Sequence, residues 1–289
     1  MENDSEAEPR LKPWQGVIAL IVVGIGAQIL GGIVAVIAIV IQAAGDAASL
    51  STMLSTGNVT FGVIGPSLVA TGVGMAGGSM LVAAAARVPI RQALGIRRAP
   101  WPAFLAAPLG ILALGPTSDF LRRVMVEIAP HFTFGSLDQL DAAVRGAPLW
   151  LVAPLFALVP GIAEELLFRG AFQRSIRTGW LAILLSGFFF AAYHTDPHHV
   201  VAVLPLGLYL AWLGHRTGSV LVPITAHVVN NAAAVITAVL LGTGETPDAL
   251  FGEDFWWMPA GWAVAAVAIT AVWWTTRRPP ASPPAPASF

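Results

Sequence analysis

"LWLVAPLFALVPGIAEELLFRG", residues 149–170, begins as a stretch that water would not hold in solution, then places two glutamates and an arginine in line with it. The apolar part alone reads as a membrane-crossing helix, and the same composition recurs on both sides of it. Of 289 residues, 56% are hydrophobic and 11% charged, whereas a soluble globular domain carries roughly 25% charged residues. A single core of that composition would leave too little polar surface for water. Several runs exceed the ~18 apolar residues that mark a transmembrane candidate. The fold class expected is all-α: a polytopic membrane protein of about eight transmembrane helices.

The apolar segments lie at 16–44, 59–86, 101–121, 148–168, 180–195, 198–214, 219–241 and 259–275. The fifth and sixth are short for a hydrocarbon core of ~30 Å, which needs ~20 helical residues. The first follows the acidic start MENDSEAEPRLK, is about twice as long as a signal-peptide core, and is expected to remain as an anchor. Basic residues set the orientation, because loops rich in them stay on the cytoplasmic side. With the N-terminus inside, Arg10, Lys12, Arg87, Arg91, Arg97, Arg98, Arg169, Arg174, Arg177, Arg216, Arg277 and Arg278 all fall inside, and Arg122, Arg123 and Arg145 fall outside. The acidic stretch with Glu245, Asp248, Glu253 and Asp254 then forms an external loop.

The expected organisation is therefore a cytoplasmic segment 1–15, N-terminal helices over 16–144, a core over 145–241, an external loop and last helix over 242–278, and a disordered proline-rich tail over 279–289. Trp256, Trp257, Trp273 and Trp274 read as interfacial anchors.

Some chemistries are excluded at once. The chain has no cysteine, which removes disulfides, thiolate metal sites and a cysteine nucleophile. No basic tract interleaved with aromatics points to nucleic acid. No HExxH motif is present. Ser175, Ser186 and Ser219 lack a histidine at helical spacing, so a serine nucleophile is disfavoured.

What remains is a set of polar residues where hydrocarbon is expected. Each ionisable group in a bilayer costs ~2.5 to 3.5 kcal/mol on insertion scales, so the set needs an explanation. Glu165 and Arg169 are four apart, share a helix face and form an ion pair with the acid on the favourable N-terminal side. Glu164 is rotated by about 100° from Glu165 and must face another partner. Pro160 and Gly161, a turn earlier, favour a bend or a close helix approach. His194 ends the fifth segment. His227 and Asn231 share a face of the seventh, beside Asn230.

A charged helix end at the interface and an ordinary polar contact between helices are the bland accounts of these groups. Together, however, a carboxylate, two histidines and an amide supply a base, a proton-carrying group and oxyanion donors, which are the parts for water-mediated acyl transfer. Asp196, His198 and His199 in HTDPHH read as solvent-facing loop residues at an Asp-Pro turn.

EELLFR (164–169), FAAYH (190–194) and HVVNN (227–231) resemble the EExxxR, FxxxH and HxxxN motifs of the CPBP intramembrane proteases, the group of CAAX prenyl proteases and bacteriocin-processing enzymes. RTGSVLVPITAH is similar to that family's approach to its third motif. The resemblance covers about residues 145–240. It implies a membrane-embedded, water-filled catalytic cavity in which Glu164 activates water and His194 assists. His227 and Asn231 would stabilise the oxyanion, with Glu165 and Arg169 in support. No cofactor is expected; zinc held through His194 and His227 is the alternative, disfavoured because an amide is an unusual zinc ligand and one glutamate does not easily serve as both ligand and base.

Simple counting sets one conflict. His194 lies about 21 Å from Trp180, whereas His227 lies about 10 Å into its helix. The fifth helix must then be short and tilted, or the segment from Thr178 is not wholly in the membrane.

The function expected is an intramembrane endopeptidase acting near the cytoplasmic face on a peptide or membrane-protein substrate. Its partners would be that substrate and the lipid bilayer, with no nucleic acid. The alternatives are a non-catalytic immunity or scaffold protein and a proton-coupled transporter, the latter disfavoured by the absence of an evident inverted repeat. Abundant Ala, Gly and Arg with little Lys fits a GC-rich bacterial genome, which places the chain in an inner membrane with both termini cytoplasmic.

Overall fold

A computed structural model describes residues 9–43, 46, 48, 49, 51, 53, 60–134, 144, 147–176, 178–241 and 257–277. Arg145, Arg177, Arg278, Trp256, the acidic stretch 242–256 and the proline-rich tail lie outside these residues.

The described residues form eight main helices, a single helical turn Ile90–Ala93 between the second and third, and no strand. The main helices are α1 (Pro13–Gln42), α2 (Phe61–Ala85), α3 (Trp101–Ile128), α4 (Leu149–Ser175), α5 (Gly179–Tyr193), α6 (Pro197–Thr217), α7 (Leu221–Leu241) and α8 (Trp257–Thr275). Seven are long and apolar enough to cross a membrane, and α5 is the shorter one. The chain is an all-α, multi-pass membrane protein. Ile29, Ile33, Leu81, Leu109, Trp150 and Val267 point outward, as a surface solvated by lipid requires.

Three boundaries differ from the sequence reading. The sixth segment is not short, because Asp196 caps α6 by accepting a hydrogen bond from His198 N at 3.0 Å, and Pro197 suits the first helical turn. The fourth helix does not end at residue 168. It widens into a π segment, Leu166–Phe172, and closes with a 3₁₀ turn, Gln173–Ser175. EELLFR therefore sits in mid-helix, with Arg169 and Arg174 on the helix rather than in a loop. Likewise α3 continues past residue 121, so Arg122 and Arg123 lie on its last turns.

The π segment is the hub of the core. All seven of its residues are buried. It packs with Ala19 and Val23 of α1, Met75 of α2, Leu94 of the α2–α3 loop, and Leu210 and Leu213 of α6. Around it α1 pairs with α2, α4 with α7, α5 with α6, and α3 with α8. Membrane helices associate through close van der Waals packing, which small residues permit. At Gly161 a Cβ would come within 2.7 Å of Val228 Cγ2 and 3.2 Å of its backbone nitrogen, so this glycine lets α4 and α7 touch. Gly187 and Gly207 do the same for α5 and α6.

Candidate active site

The site is assembled on α4, α5 and α7, with one carbonyl from α6. Arg169 donates from one guanidinium nitrogen to Glu165 Oε1 at 2.7 Å and from the other to the Gly207 carbonyl at 2.8 Å. Both side chains of the pair are fully buried. The ion pair expected from the i, i+4 spacing is present, but a solvated charge ring at a helix end is not. The guanidinium also lies 4.3 Å from the centroid of Phe190, which adds a cation–π contact.

His227 joins the two glutamates. Its Nδ1 donates to Glu165 Oε1 at 2.9 Å, and its Nε2 stands 3.9 Å from Glu164 Oε2. The rotation between the two acids does not send them to different partners, as the sequence reading had it. They address opposite nitrogens of one imidazole. Glu165 Oε1 is shared between Arg169 and His227, whereas neither Glu165 Oε2 nor Glu164 Oε2 has a hydrogen-bond partner among the described residues. Glu164 keeps 13% side-chain exposure, against none for Glu165.

His194 caps the C-terminus of α5. Its backbone N–H donates to Ala191 O, which leaves the Phe190 carbonyl to accept from His194 Nδ1 at 3.0 Å. A proton on Nδ1 makes Nε2 of the neutral ring an acceptor, a tautomer assigned from that partner. The Phe190 ring touches His194 and His227 edge-on, at centroid distances of 5.1 and 5.4 Å. Both motif histidines thus flank one phenylalanine, while no ion pair joins His194 to Glu164 among the described residues.

The depth conflict resolves through α7. Val220 N donates to Gly95 O, and Leu94 lies against Gly170, five residues before Ser175. Helix α7 therefore starts about 7 Å along α4 rather than level with its end, which adds depth to His227. With 15 residues, α5 is about 22 Å long and stops short of a full crossing.

Asn231 reaches across to α4. Its Nδ2 is 3.5 Å from the Phe156 carbonyl, and its Oδ1 accepts from Asn230 at 3.3 Å. Pro160 explains why that carbonyl is available: it has no N–H to donate four residues back. Pro160 and Gly161 before the glutamates thus do two jobs, opening an acceptor for Asn231 and admitting α7.

Several participants were not foreseen. Phe190 opens the FxxxH-like motif but has no role assigned to it there and acts through its ring, and Gly207 acts through its backbone. Gln173, a turn beyond Arg169, donates from Nε2 to Ala211 O at 2.7 Å and stitches α4 to α6. Asp196 and His198 are buried rather than solvent-facing. Asp196 accepts from Thr133 Oγ1 at 2.8 Å and Phe134 N at 2.9 Å, and His198 Nε2 bonds Ala129 O at 2.9 Å. His199 packs edge-on against His194 at 4.5 Å. The three serines donate to backbone: Ser175 to Phe172 O, Ser186 to Phe168 O and Ser219 to Arg97 O.

His194 and His227 each make their hydrogen bond through Nδ1 and keep Nε2, and no group of three His, Asp or Glu side chains among the described residues is arranged to hold a metal ion.

A family model described as Type II CAAX prenyl endopeptidase Rce1-like matches residues 146–233. Over this segment the chain is similar to the Rce1-like, or CPBP, family. The matched Rce1-like segment contains Glu164, Glu165, Arg169, His194, His227 and Asn231. No similar curated protein and no similar solved structure was found.

Proposed function

We propose that this chain is an intramembrane endopeptidase of the CAAX-protease type, with 145–241 as its catalytic core, that hydrolyses a peptide bond in a peptide or membrane-protein substrate. The observation that carries the reading is the sorting of two adjacent glutamates. Glu165 is locked through Oε1 between Arg169 and His227 with no exposed side-chain surface, whereas Glu164 makes no such tie, keeps 13% exposure and holds Oε2 3.9 Å from His227 Nε2. A locked acid orients, whereas a free one can take a proton.

Glu164 removes a proton from water as its oxygen adds to the scissile carbonyl carbon. His194, with Nδ1 pinned to Phe190 O, offers Nε2 to the water's second hydrogen. The carbonyl oxygen becomes an oxyanion facing His227 Nε2 and Asn231 Nδ2. Collapse breaks the C–N bond, and Glu164 passes its proton to the leaving amine. Two carboxylates and one guanidinium leave one negative charge. One proton held between Glu164 and His227 makes the buried quartet neutral, which is the arrangement a low-dielectric site favours.

The test compares peptide termini in membranes carrying wild type, Glu164→Gln and His227→Ala. Loss of the same new termini in both variants supports the reading. A set of termini that does not change would sink it and leave a scaffold. We further propose an inner-membrane location with both termini cytoplasmic, supported by the basic residues Arg87, Arg91, Arg97 and Arg98 between α2 and α3.

A further inference from the structure

We infer that Asp196 is a positioning residue for His194, acting through the backbone of Thr195. This rests on the reading of His194 as the group that orients the attacking water. Thr195, directly after His194, has φ of 60°, in the left-handed region that a β-branched residue rarely enters. Something must hold it there. The α5–α6 turn is tight: Asp196 N donates to His194 O at 2.6 Å, and Thr195 N donates to Ala192 O.

The clamp is the Asp196 carboxylate, which is 2% exposed. One oxygen caps α6 through His198 N, and the other accepts from Thr133 Oγ1 and Phe134 N in the segment after α3. His198 adds a second tie to that segment through Ala129 O. The turn is thus anchored to an element that is not part of the site. Its shape sets where the last turn of α5 ends, and so which carbonyl His194 Nδ1 reaches and where Nε2 points.

Asp196→Asn separates the two duties of the carboxylate. Its Oδ1 still caps α6, but its Nδ2 cannot accept from Thr133 or Phe134. The expected result is a fall in kcat of about tenfold to about a hundredfold, as for a misplaced catalytic group, with KM unchanged. Adding Thr195→Gly, which adopts the left-handed conformation freely, restores most of the lost rate.

A readout independent of cleavage is the pair of ¹⁵N imidazole signals of His194 in histidine-labelled protein in nanodiscs, identified by subtraction with His194→Gln. They shift in Asp196→Asn and return with Thr195→Gly. Wild-type kcat and unmoved signals in Asp196→Asn overturn the proposal, as does lost kcat with unmoved signals. Should Asp196→Asn fail to fold, Thr133→Val removes a single donor and is read by the same two criteria. If wild type cleaves nothing yet the His194 signals move and are rescued, the positioning stands and the protease reading falls.

Discussion

Glu164 and Glu165 are chemically identical neighbours, and the difference between them is the best handle on the site. Removing the free one should stop chemistry without loosening the fold. Glu164→Gln is expected to lower kcat by about 10² to 10⁴, the usual value of a positioned base, with thermal unfolding in detergent little changed. The locked one behaves in the opposite way. Glu165→Ala strands Arg169 in a dry core, and breaking a buried pair from one side costs about 3–5 kcal/mol. The measurable result is a large drop in thermal midpoint and in the yield of folded protein, ahead of any kinetic effect. Because no group of three His, Asp or Glu side chains among the described residues is arranged to hold a metal ion, cleavage by purified enzyme is expected to persist in a strong chelator. Inhibition reversed by added zinc would contradict the metal-free reading.

Helix α4 shows how an element can be built against its own regularity. Pro160 frees the Phe156 carbonyl, Gly161 removes a Cβ, and the π segment turns seven consecutive residues into a buried hub. Each departure places something: Asn231, α7 and the Arg169 contact with Gly207, respectively. π segments recur at functional sites because the inserted residue re-aims side chains and releases carbonyls. Pro160→Ala should therefore separate stability from activity. It returns an N–H to Phe156 O, which raises the thermal midpoint, and draws that carbonyl from Asn231, which lowers kcat. Gly161→Val should do harm on both counts, overpacking the α4–α7 contact by about 1–3 kcal/mol and pushing His227 outward.

The sequence pattern showed which stretches are helices but not where α4 ends. A π turn and a 3₁₀ turn have no composition of their own, and what stabilises them is burial against α1, α2 and α6.

At the scale of the whole molecule, orientation is open to a direct measurement. The chain contains no cysteine, so single substitutions report without background. An impermeant maleimide applied from outside should label His131→Cys, in the segment after α3, and should reach Arg98→Cys, between α2 and α3, only after permeabilisation. The opposite pattern would invert the topology proposed from the basic residues.

The sequence by itself determined the all-helical membrane class, the Glu165–Arg169 pair and the candidate set of acids, histidines and amide, because hydrophobic length and i, i+4 spacing are local properties. It did not determine that both glutamates meet one histidine, that His194 reaches the site from a helix too short to cross, or that Asp196 is a buried clamp. Those depend on how far α7 starts along α4 and on where the segment after α3 lies against the α5–α6 turn, contacts between residues distant in the chain. Only packing in three dimensions sets them.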